Sequence, residues 1–144
     1  MRKFGALIAL TLVTTVSLPA MADETSPPEF DEKGDRSLDG YEGSDRPDEL
    51  EVQDRFNAIM GEVDECVWAE KERTKASHLK GDADVAVLLD PKSDSPLGVN
   101  AHFPGEKKHK PLQKCLRKAS AHAHFPTYDG PPVVVHFEFE LDPA

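Results

Sequence analysis

The stretch Val133-Val134-Val135-His136-Phe137-Glu138-Phe139-Glu140-Leu141 decides the fold. Apolar and polar residues alternate along it with a period of two, the mark of a strand with one face buried. Val133, Val135, Phe137, Phe139 and Leu141 share one face, and Val134, His136, Glu138 and Glu140 share the other. Asp129-Gly130-Pro131-Pro132, just upstream, turns the chain into this strand. A lone strand can neither pair its main chain nor cover its apolar face, so the rest of the chain must supply partners.

Two more strands and two helices are legible upstream. Residues 82–89 repeat the period of two, with Ala83, Val85, Val87 and Leu89 on one face and Asp84, Ala86 and Leu88 on the other. Asp90-Pro91-Lys92-Ser93-Asp94-Ser95-Pro96 then reads as a turn. A second strand spans 97–103, with Val99, Ala101 and Phe103 alternating until Pro104-Gly105 stops it. Pro111 suits the first turn of a helix, and Leu112, Cys115, Leu116 and Ala119 form its apolar stripe. Farther upstream, over 50–75, Val52, Phe56, Ile59, Met60, Val63, Cys66 and Val67 recur at helical steps of three and four. The order helix–strand–strand–helix–strand predicts an α+β domain, with two helices packed on one face of a small, mostly antiparallel three-stranded sheet.

Each of the two cysteines lies on the inward stripe of its helix. If both helices share one sheet face, Cys66 and Cys115 meet across the core. A disulfide and a pair of buried free thiols both fit that placement. Export to an oxidising compartment favours the disulfide.

The N-terminus reads as an export signal. Arg2 and Lys3 precede an uncharged apolar run over residues 4–18, and Ala20-Met21-Ala22 supplies a small-x-small cleavage site. The run falls short of the ~20 residues that span a bilayer as a helix. Cleavage gives a signal peptide at 1–22 and no stable membrane insertion afterwards; the alternative is an uncleaved anchor. Residues 23–49 lack apolar periodicity and hold eleven acids against three bases, with Pro27, Pro28, Gly34, Gly40, Gly43 and Pro47 interrupting any helix. They read as an acidic disordered tether, or as an acidic arm for a basic partner or loosely held divalent cations. The folded domain is then 50–144. The whole chain of 144 residues carries −10, of which the tether holds −8. That balance disfavours nucleic acid and anionic lipid as partners.

No residue set assembles into a catalytic or cofactor site. A Gly-x-Ser-x-Gly elbow, a Cys-x-x-Cys pair and a glycine-rich phosphate loop are all absent from the sequence. The chain is expected to have no enzyme activity, no cofactor and no metal. The histidines are His78, His102, His109, His122, His124 and His136. His122 and His124, two apart at a helix end, cannot share a helix face. His136 is expected to form a cross-strand ion pair. Trp68 is expected to pack. The competing reading is a periplasmic metal- or small-ligand-binding protein that uses the histidines and the acidic tether.

The span 56–141 resembles the TonB C-terminal-like domains, in particular the cysteine-paired variant named after AgmX and PglI. The resemblance rests on the amphipathic helix with Cys66, then Leu79-Lys80-Gly81 leading into Val85-Ala86-Val87-Leu88. It continues through the strand at Val99, Cys115-Leu116-Arg117-Lys118-Ala119, Phe125-Pro126 and the closing strand at 133–141. It implies a periplasmic protein of the bacterial cell envelope that acts as an interaction module. It also implies recognition by strand addition at a sheet edge, with an envelope protein or peptide segment as partner. The surface expected to do this is the last strand, through Val134, His136, Glu138 and Glu140. TonB itself transmits energy through an uncleaved membrane helix and a long Pro-rich spacer. A cleavable N-terminus and a short acidic spacer fit a free binding module better.

Overall fold

A computed structural model describes residues 26–34, 36–75 and 79–142; the expected signal peptide lies outside them. The long apolar stripe folds as helices that cover one face of a sheet. Helix α1 spans Glu49–Asn57 and α2 spans Met60–Thr74. Asp48 caps α1, its carboxylate accepting from the Glu51 amide at 3.1 Å. Strand β1 spans Asp82–Leu88, β2 Gly98–His102 and β3 Val134–Glu140, and helix α3 spans Lys110–Ala121 between β2 and β3. Pro111 stands in the first turn of α3, as its fixed φ favours.

The structure is therefore the expected α+β domain, with the single N-terminal helix divided in two. Ile59 leaves helical geometry, at φ −100° and ψ 5°. No proline causes this. The buried series Val52, Phe56, Ile59, Val63, Cys66 and Val67 runs on across the break, so the stripe is unchanged while the backbone is interrupted.

The sheet order is β2-β1-β3, with both pairings antiparallel. Leu89 N donates to Val133 O at 2.9 Å, and Leu141 N donates to Gly81 O at 2.9 Å. The odd-numbered residues of β3 therefore exchange hydrogen bonds with β1, and its even-numbered residues turn theirs outward. The core lies between the sheet and the helices. Phe56 of α1 stacks on Phe137 of β3 with ring centroids 3.9 Å apart. The Cys66–Cys115 disulfide joins α2 to α3, with Cα atoms 5.7 Å apart. Glu70, 3% exposed, is held between Arg73 and His109, whose Nδ1 lies 2.9 Å from the carboxylate. Arg73 in particular keeps that carboxyl below its usual pKa.

Parts of residues 26–49, within the segment 23–49 expected as a disordered tether, contact the sheet and its edges. Pro28 O accepts from Val99 N of β2 at 3.0 Å, Arg36 O accepts from Val134 N of β3 at 2.8 Å, and Ser44 O accepts from Asp129 N at 2.8 Å. Pro27 and Pro47 are buried, and Leu38 and Tyr41 pack on the core. Main-chain pairing with the sheet edges and a few apolar anchors supply what composition alone could not reveal. Ala86 and Leu88 are consequently buried on the face away from the helices. This segment, 26–48, is called the strap below; it passes close to Gly130, where an added Cβ would stand 1.9 Å from Asp45 O.

Candidate functional site

The two edges of the sheet differ, and the difference comes from what each edge's outward main-chain groups meet. On β2, Val99 N is taken by Pro28 O. Arg117 Nε donates to Val99 O at 3.0 Å, and Gln113 Nε2 donates to Ala101 O at 2.8 Å. Arg117 also donates to Pro27 O and lies 3.6 Å from Glu29. The buried Asn100 accepts from Phe30 N at 3.0 Å and donates to Phe30 O at 2.8 Å. Helix α3 and the N-terminal strap thus cover most of this edge.

Among the described residues, only the first outward amide of β3, that of Val134, meets a partner, Arg36 O. The outward amides of His136, Glu138 and Glu140 meet no main-chain partner among the described residues. An exposed row of this kind is a template for another strand. All four expected residues lie on that outward register. The strap occupies the first position, so the open segment begins at His136.

The side chains of this edge split between two environments. Val135 and Phe139, on the helix side, are half-buried against the core. Glu138, Glu140 and His136, on the helix-free side, are exposed. His136 Nδ1 lies 3.0 Å from Asp84 of β1, the cross-strand ion pair expected for it.

The other described histidines are drawn apart, each to its own carboxylate. His102 lies 2.8 Å from Glu32 and 3.3 Å from Glu106; His122 lies 2.7 Å from Glu62; His124 lies 2.9 Å from Asp94. His122 and His124 do not converge, because His124 adopts a left-handed backbone (φ 51°) beyond the helix end. Among the described residues no three His, Cys, Asp or Glu side chains are placed to hold a metal ion. The hydrogen bond that His102 donates to Glu32 holds the imidazole above its ordinary pKa, against the opposing effect of burial. Burial raises the Glu32 pKa, but hydrogen bonds from His102 and Asn100 outweigh it and leave the carboxyl below its usual value.

Trp68 is not packed as expected: it is 66% exposed on α2. What sequence reasoning missed is the covered edge. Its signals were Phe30, an isolated apolar residue inside the acidic segment, and Asn100, a polar residue within a strand, which bond to each other; Leu38 and Tyr41 mark where the same segment packs on the core.

No protein-family model, curated protein or solved structure matches the chain.

Proposed function

We propose that this protein is an exported interaction module of the bacterial cell envelope, periplasmic after removal of residues 1–22. In this reading it binds an extended segment of another envelope protein along β3. The observation that carries the proposal is the asymmetry of the sheet: on β2 both outward groups of Val99 and the carbonyl of Ala101 have partners, whereas the outward amides of β3 from His136 onward meet none among the described residues. Strand addition supplies affinity through main-chain hydrogen bonds and selectivity through alternate side chains. The disulfide is compatible with an oxidising compartment. No helix among the described residues is long and apolar enough to cross a membrane. The resemblance to the TonB C-terminal-like domains supports the same mode of recognition.

Site-specific photo-crosslinking in the native envelope tests the proposal. A photoreactive residue in place of Glu138 is expected to capture a partner, and one in place of the exposed Glu72 on α2 is not. His136→Pro is expected to abolish the capture while circular dichroism stays unchanged, because the lost amide makes no bond within the sheet. Capture that persists in the folded proline variant, or that occurs only from position 72, refutes binding along β3.

A further inference from the structure

The helix-free face of the sheet carries a charge arrangement that the fold does not need. Asp82 stands directly opposite Glu140 and Asp84 directly opposite Glu138 across β1 and β3. Hydrogen bonds in this ladder connect the odd-numbered pairs, so these two pairs are of the non-hydrogen-bonded kind, the closer of the two. Like charges directly opposite each other destabilise a sheet. Asp84 is hydrogen-bonded to His136, but no cationic side chain is paired with Asp82, Glu138 or Glu140 among the described residues. Two of the uncompensated carboxylates, Glu138 and Glu140, belong to the open edge itself.

We propose that the segment bound at β3 is cationic, with Lys or Arg at alternate positions and apolar residues between them. This inference rests on the strand-addition reading above. Residues opposite each other on paired strands share a face, so one alternate set of an added strand lies beside His136, Glu138 and Glu140. Positive charge there relieves the facing carboxylates. The other set lies on the helix side, next to half-buried Val135 and Phe139, where apolar side chains continue the core.

The same carboxylates oppose a second copy of this chain, because edge-to-edge pairing would bring Glu138 and Glu140 of both copies together. Anionic lipid and nucleic acid are repelled for the same reason. Geometry narrows the ligand further. In an antiparallel addition, the pairing that this sheet already uses twice, residues opposite His136, Glu138 and Glu140 form hydrogen-bonded pairs, so the cationic residues of the ligand are the ones whose amides point at β3.

The experiment measures binding of the intact chain to a fluorescent peptide, Lys-Val-Lys-Val-Lys-Val-Lys, by anisotropy at low and high salt. The peptide is expected to bind, more weakly as salt rises, and its counterpart with Glu for Lys is not. Glu138→Gln with Glu140→Gln is expected to weaken binding by ~3–10-fold, the effect of two cross-strand charge pairs. N-methylation of the lysine amides is expected to abolish binding, and N-methylation of the valine amides to leave it intact. Equal effects of the two methylations overturn strand addition and this inference with it. Selective loss on lysine methylation, with no effect of the glutamine variant, leaves the edge reading standing and overturns the cationic one. Failure of the lysine peptide to bind, with concentration-dependent self-association of the chain in sedimentation, overturns it in favour of a second copy.

Discussion

Replacing both cysteines, Cys66→Ala with Cys115→Ala, tests how the domain is held together. The disulfide joins residues 49 apart in sequence, and the loop it closes contains β1 and β2. Loop-closure entropy for a loop of that length gives ~4 kcal/mol of stabilisation, acting through the unfolded chain. Domains of this size are stable by only ~5–15 kcal/mol, so the bond supplies a substantial share. Alanine is the cleaner replacement, because Cys66 is 4% exposed and a serine hydroxyl there would be buried. Glu70 with His109, just before α3, and Glu62 with His122, the latter pair half-exposed, remain among the contacts between α2 and the α3 region. The assay is urea unfolding followed by circular dichroism; Trp68 is already exposed in the native state and reports unfolding poorly by fluorescence. With a slope of ~1.5 kcal/mol per M, the midpoint is expected to fall by ~2–3 M, and reductant on the native protein should reproduce the shift. A fall below ~0.5 M refutes the loop-entropy argument and assigns the cohesion of the helices to packing alone.

Three further outcomes are expected. Phe56→Ala removes a ring stacked on Phe137 and packed near Phe139, and should destabilise the domain by ~3–5 kcal/mol, read as a fall in Tm of ~10 °C or more; a fall under ~3 °C contradicts the packing described. Gly130→Ala places a methyl group against Asp45 O and should lift the strap there, so that a glutamate-specific protease cleaves after Glu42 faster than in the parent; an unchanged cleavage rate argues that the strap can yield without detaching. The His102–Glu32 contact makes the strap's attachment to β2 depend on pH. The His102 pKa is raised in the folded state, so its contribution is complete below ~6.5 and is lost as pH rises through the raised value. The Glu32 pKa is lowered, so its contribution is present above ~4.5 and is lost as pH falls through the lowered value. Protection of the Phe30 amide, corrected for intrinsic exchange, should therefore be greater near pH 5.5 than near pH 8, and His102→Gln should remove the difference; a difference that survives in His102→Gln assigns it to another group.

Periodicity alone placed the elements of the domain. The period of two over 133–141 and the three-and-four spacing from Val52 to Val67 are local patterns, and burial of one face selects them without reference to any distant contact. The cysteines were legible for the same reason, each lying on the inward face of its own helix. Sheet order was not legible. Placing β1 between β2 and β3 makes β3 an edge, and that depends on which strands find each other across long separations. Nor was the fate of residues 26–49 legible. Composition reports the average affinity of a segment for water, whereas its attachment rests on a few main-chain hydrogen bonds to sheet edges and on Phe30, Leu38 and Tyr41. Alternation along one strand is enough to put Glu138 and Glu140 together on an exposed face. That they face Asp84 and Asp82, with their amides left open among the described residues, follows from how strands pair across the fold, because charge opposition and an unpaired edge are properties of neighbouring strands.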